Sequence, residues 1–336
     1  MTAQLASATY APTDFFGFFD TGGPAQSPTA SATTKPSLVL PPFALDGRPI
    51  TWNADRTACT LPCSATEYHS DKLAVSASAL RRMQRSPAHY LAYASSANQQ
   101  TAARRWGTAL HTAVLEPALF QASYVVWSGK RRGKAWQSFQ SANAGKEILT
   151  QTEYDEITKA ASVASGTVIV EGTGGNEYTV GDLVTLGEVE KTYYWLDQES
   201  GLTCKARMDL VVQHVSFDLK STGDARRFAF ERHAATDGYD IQAAFYARAR
   251  VAMEPSIKDM HRFIFVAVEA TAPHATVAHP ADLDEFMKFG DRKVGSLLST
   301  FKQCRVSGHW PAYGPEGGTL KLPLHARYPA AANLDI

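Results

Sequence analysis

The chain has 336 residues, 44 % of them apolar and 10 % aromatic, with 33 basic and 33 acidic side chains and a formal net charge of zero. That is the composition of an ordinary globular protein, and a neutral total excludes one that coats nucleic acid by charge alone. No apolar run approaches the roughly 18 residues a membrane span needs, and the start lacks a basic and then apolar leader pattern, so neither membrane insertion nor secretion is expected.

Residues 1–66 hold eight of the 17 prolines and sixteen Ser or Thr, but only seven charged side chains. Such a stretch buries too little apolar surface to offset its ordering entropy, so it reads as an extension. Phe15-Phe-Gly-Phe-Phe19 within it reads as a docking peptide or, more simply, a packed tail. Residues 67–311 then form one large domain, and 312–336 a C-terminal tail. Cys59 and Cys63 lack two further ligands that would complete a zinc site. With Cys204 and Cys304 they read as free thiols of a reducing cytoplasm.

Ser76 caps a short helix, and Ser86-Pro87 restarts the chain into a second one reaching residue 93. Trp106, Leu110 and Val114 recur at helical spacing in the next helix, closed by Glu116-Pro117. Residues 134–164 read as helix with a break near Ala144-Gly145. The Gly-rich stretch 171–177 has no Lys-Ser/Thr to make a phosphate loop, so it reads as a turn. The periodicity then changes. Residues 189–196, 203–212 and 215–221 are strands rich in Val, Tyr and Phe, the last two joined by only Gln213-His214. A single amphipathic helix over 228–250, a buried strand over 263–269 and a closing helix over 282–301 complete an α/β layer with a mixed sheet.

The chemistry gathers on the hairpin. Side chains alternate along a strand, so Asp218 and Lys220 share a face, and Asp209 lies across the two-residue connection. Two carboxylates beside a lysine suit a hard divalent cation, which polarises a phosphate and activates water while the lysine steadies developing charge. Gln242 and Tyr246, at i and i+4, share one helical face. His111 is a lone imidazole on an apolar helix, structural or a ligand. Between residues 81 and 134 there are nine basic side chains against one acid, Glu116. They form a solvated face or a path for a polyanion.

Taken together, Gly107-Thr-Ala-Leu-His111, Gly187-Glu-Val-Glu190, Cys204-Lys-Ala-Arg-Met-Asp209, Asp218-Leu-Lys220 and Gln242-Ala-Ala-Phe-Tyr246 resemble the PD-(D/E)xK nuclease superfamily. Within it the chain is most similar to the RecE-like (exonuclease VIII type) phage and prophage exonucleases. The likeness runs from Tyr68-His69 through Ser86-Pro87-Ala-His-Tyr90, Arg131-Arg-Gly-Lys-Ala-Trp136 and Asn143-Ala-Gly-Lys146 to Val266-Ala-Val-Glu269. It implies a restriction-endonuclease-like core with a mixed central sheet flanked by helices. It also implies His111, Asp209, Asp218 and the Leu219 carbonyl as ligands of Mg²⁺, with Mn²⁺ as a substitute, and Lys220 as the catalytic lysine. Glu190 would bind the metal through water or orient that lysine. Gln242 and Tyr246 would support the site and position DNA, and Arg131 and Arg132 would contact the duplex.

The implied activity is exonucleolytic hydrolysis of linear double-stranded DNA ends, 5′ to 3′, leaving 3′ overhangs. The implied partners are those ends, a single-strand annealing protein and other copies of the chain in a ring, in the cytoplasm. Met208 stands where the superfamily motif has proline, residues 171–185 are longer than the family suggests, and residues 1–66 have no counterpart. Two other readings are a silent DNA-end binder and a helicase- or CRISPR-associated relative. The second needs an iron–sulfur cluster on one early and three late cysteines, and only Cys304 lies late.

Overall fold

The computed structural model describes residues 37–96, 101–171 and 177–314. The first strands, β1 (Thr51–Trp52) and β2 (Ala58–Thr60), pair antiparallel. Helix α1 (Ala65–Ser70) opens with a capping box, in which Ser64 and Glu67 satisfy each other's backbone N–H groups. Strand β3 (Val75–Ser76) leads into α2 (Ala77–Arg85) and α3 (Pro87–Ser95), where Ser76 and Ser86 accept from the amides of Ala79 and His89. Helices α4 (Ala102–Leu115) and α5 (Pro117–Ser123) precede a small unit of β4 (Tyr124–Val126), α6 (Gly133–Ala142) and β5 (Glu147–Leu149), with β4 and β5 parallel. Then come α7 (Gln151–Ser165), β6 (Val168–Glu171), β7 (Glu177–Thr179) and α8 (Val180–Leu186). The second half is β8 (Glu188–Leu196), β9 (Thr203–Val212), β10 (Val215–Thr222), α9 (Arg227–Asp237), α10 (Tyr239–Met253), β11 (Arg262–Glu269), β12 (Thr276–Pro280) and α11 (Lys288–Ser307).

One eight-stranded sheet runs β1-β2-β8-β9-β10-β11-β12, with β3 beside β9. It is mixed: β10 is parallel to β11 and antiparallel to β9. One face buries Leu80, Met208, Ile241, Phe245 and Phe265 against α2, α10 and α11. The other buries Leu110, Leu183, Phe217 and Leu219 against α4, α7 and α8. This is the expected α/β class, a mixed central sheet flanked by helices. Among the described residues no helix is long and apolar enough to cross a membrane.

Two expectations are corrected. The domain does not begin at residue 67: β2 pairs with β8, and Cys59, Leu61 and Ala74 form a buried cluster with Tyr194. A three-residue strand needs few apolar residues when its neighbour supplies a tyrosine, so proline content was a poor guide there. The helix expected over 228–250 is two helices, because Gly238 adopts φ +68°, a left-handed conformation that ends α9 and starts α10. The break expected near Ala144-Gly145 is present between α6 and α7, and the short strand β5 fills it, its Leu149 packing with Phe120 and Ile157. Phe15–Phe19 of the proposed tail, residues 172–176 of the Gly-rich turn and residues 315–336 lie outside the described residues.

The sheet's most consequential feature is a fork. β10 pairs with β9 only at Val215, Ser216 and Phe217, opposite Val212, Val211 and Leu210. The next pair would be Asp218 and Asp209, and there the two strands part. β8 keeps one edge of β9 occupied from Val211 to Thr203, so β3, joining at Cys204 and Lys205, takes the other edge beyond the fork. β10 continues on β11 through Glu269. Residues 206–209 of β9 are thus left without a strand on that side.

Candidate metal centre

Asp209 sits at the base of the fork. Its Oδ2 accepts the Leu219 N–H at 2.7 Å, replacing the ladder bond that the parting strands cannot make. The same oxygen lies 3.4 Å from Nδ1 of His111, brought in by α4 from the opposite layer. Glu190 completes the group: one ligand atom each from His111, Glu190 and Asp209 lies within 4.8 Å of the others. Glu190 interrupts β8. Its neighbours Val189 and Lys191 pair with Leu210 and Met208, whereas Glu190 has φ +51° and no register partner. A left-handed glutamate in mid-strand persists only where its surroundings enforce it.

Asp218 and Lys220 do share a face, as alternation required, and their side chains form an ion pair. Asp218 is 2 % exposed, and its Oδ1 accepts from Gln242 Nε2 at 2.6 Å. The grouping therefore differs from the expected one. Glu190 joins His111 and Asp209, while Asp218 is engaged by Lys220 and Gln242. Gln242 and Tyr246 both lie buried on α10.

The electrostatics favour a cation. Burial and the Asp218 and Glu190 charges push the Asp209 carboxyl well above its ordinary range. Burial and Lys220 lower the His111 pKa, leaving its ring neutral with a lone pair to donate. Three carboxylates here face two cations, Lys220 and Arg207. A neutral imidazole beside two carboxylates is a donor set that fits a divalent ion, His111, Glu190 and Asp209 holding it with Asp218 alongside.

Two neighbours were missed from the sequence. Arg207 bonds Glu190 Oε2 through Nε and the Cys63 carbonyl through NH1. Its signal was positional, since it lies two residues from Asp209 on β9 and so shares its face. Tyr239, just after the helix break, lies under Lys220, with the ammonium 5.0 Å from its ring centroid. Arg131 and Arg132 do not join this group. Arg131 faces Glu153 at 3.7 Å and donates to the Ile148 carbonyl at 2.9 Å, while Arg132 is exposed at the start of α6.

A mixed sheet forked at Asp209, with Asp-x-Lys on the adjoining strand and helices on both faces, defines a PD-(D/E)xK-like core. The chain belongs to the family described as a PDDEXK-like domain of unknown function (DUF3799), whose model matches residues 76–321. Among solved structures it is similar in fold to one named a "putative exonuclease" from Eubacterium rectale. That match has TM-score 0.51 and 11 % identity, and covers 81 % of this chain and 99 % of the other. No curated protein matches the sequence.

Proposed function

We propose that the protein is a Mg²⁺-dependent exodeoxyribonuclease acting on the ends of linear double-stranded DNA, 5′ to 3′, and leaving 3′ overhangs. One observation carries this reading. Around the fork a histidine and two carboxylates converge, with a lysine ion-paired to a third carboxylate on the next strand. The name of the Eubacterium rectale neighbour supports the exonucleolytic form. When bound, Mg²⁺ would polarise the scissile phosphate and favour ionisation of the attacking water.

The remaining roles fall to the chain's own residues. Asp209 is fixed by the Leu219 amide, and the oxygen that accepts it lies 3.4 Å from His111, so the carboxylate is held at the site without reorganisation. Lys220, held by Asp218 and the Tyr239 ring, carries a positive charge where negative charge builds on the phosphate. Gln242 locks Asp218 from behind. A single-strand annealing protein would consume the overhang, and copies of the chain would form a ring around the duplex, as the RecE-like resemblance implies.

The test is digestion of a blunt linear duplex labelled at either the 5′ or the 3′ end, with a closed circle as control. Early release of the 5′ label with Mg²⁺, none with chelator and an intact circle are expected. Cutting of the circle would replace the exonuclease with an endonuclease. No cutting of any substrate would leave a DNA-end binder.

A further inference from the structure

Glu190 poses a physical question that its ligand role does not answer: what holds an acidic residue left-handed in the middle of a strand, beside two other carboxylates? We infer that Arg207 is the positioning residue of this centre, fastening Glu190 to the chain segment around residues 62–67 so that one carboxylate oxygen stays aimed at the cation. This rests on the metal-centre reading above and deepens it.

The geometry is a continuous strap. Arg207 Nε engages Glu190 Oε2, and NH1 of the same guanidinium reaches the Cys63 carbonyl. The side chain is 16 % exposed, so little water competes for it. The neighbouring Pro62 carbonyl accepts from Arg48 NH1 at 2.8 Å, and Arg48 NH2 pairs with Glu67 Oε1 at 2.8 Å. Glu67 closes the capping box of α1. Segment 62–67 is therefore anchored independently of the metal site, and Arg207 transmits that anchorage to Glu190. A guanidinium can make both bonds at once because its donors form a rigid fork, whereas lysine is a point charge.

The inference gives a sign that a simple counter-charge would reverse. If Arg207 only neutralised Glu190, removing it would make the site more negative and tighten cation binding. If it positions Glu190, removing it weakens binding, by about the tenfold or more typical of groups that orient metal ligands. Full-length protein is titrated with Mn²⁺, and with Ca²⁺ in parallel, and the metal-induced rise in Tm is read against each variant's own metal-free Tm. Arg207→Gln should need about ten times more cation for half the rise. Arg207→Lys, which keeps the charge and the stem, should lie between it and wild type. In a Glu190→Gln background, Arg207→Gln should add nothing, because its effect passes through Glu190.

Unchanged or tighter binding in Arg207→Gln overturns the inference, as does an added effect in the Glu190→Gln background. A wild type whose Tm ignores cations overturns it together with the metal centre. A wild type that binds cations yet cuts no DNA overturns the nuclease reading alone.

Discussion

The two ends of the β9–β10 hairpin are built on opposite principles. At the closed end Val212 pairs with Val215 and Leu210 with Phe217, and all four are at most 6 % exposed. At the open end the same strands part, and the facing residues are Asp209 and Asp218. Apolar packing at one end fixes the register, so the charged end can leave its ladder unmade and keep donors and acceptors for chemistry. The Leu219 amide, which an unbroken pairing would occupy otherwise, is spent on the Asp209 carboxylate.

This division predicts that substitutions at the two ends separate activity from stability. The largest effect belongs to the open end. Lys220→Ala should lower the rate of DNA hydrolysis by about a thousandfold, the scale expected when a preorganised charge facing a reacting phosphate is lost. The metal-induced rise in Tm should survive, because Lys220 is not among the ligands. Retention of more than a few per cent of the rate would dismiss Lys220 from catalysis.

The closed end should behave the other way. Phe217 is 3 % exposed between β10 and the α4–α7 layer, and Phe217→Ala should cost about 3–5 kcal/mol of stability, read by urea unfolding. The cation concentration for half-maximal stabilisation should stay near wild type. A large change there would mean that the closed end tunes the site and does not merely hold its register.

The closed end was also the more legible in the sequence. Alternating Val and Phe around a two-residue turn define the strands to within a residue or so, and the same alternation places Asp218 and Lys220 on one face. The fork was not legible, because nothing in the alternation marks where β10 leaves β9, or that β3, two residues long, takes that edge of β9 farther along. Nor was the outward turn of Glu190, since nothing in Gly187-Glu-Val-Glu190 marks a left-handed φ. Arg207 stayed hidden for a third reason: its carbonyl partner, Cys63, lies in a segment whose proline content disguised the short strand β2.

His111 joins the open end from another layer, and its loss should be intermediate in size. His111→Ala should raise the cation requirement by at least about tenfold, since a direct ligand is worth no less than the groups that orient it. If the requirement stays flat while metal-free Tm falls, the imidazole is a packing residue.

Asp209 supplies a pH dependence peculiar to the open end. Its folded pKa lies above the unfolded value, so its contribution to metal-free stability is present below the ordinary carboxylate range. That contribution is lost as pH climbs towards the raised value. Cation binding must displace that proton, so affinity should strengthen as pH rises above the ordinary carboxylate range. Calorimetry in buffers of different ionisation enthalpy would register the released proton. An affinity independent of pH would place the proton elsewhere.

The smallest expected effect lies far from the fork, on the basic stretch before α6. Of its arginines, Arg131 is committed to Glu153 and the Ile148 carbonyl, so its loss would loosen the β4–β5 unit as well as any DNA contact. Arg132 is exposed, and so are Lys130 and Lys134. If this surface carries the duplex towards the fork, each phosphate it neutralises releases counterions and adds about 0.9 to the slope of log affinity against log salt. Arg132→Gln should flatten that slope by at most about one unit, which is roughly a twofold change in affinity across a doubling of salt. Affinity should barely vary with DNA sequence, because phosphate contacts carry no base information. The rate of the first cut at saturating DNA should match wild type, since the open end of the hairpin is untouched. A slope that does not move for Arg132→Gln, nor for Lys130→Gln and Lys134→Gln together, would return these side chains to the solvated face that such charge runs ordinarily form.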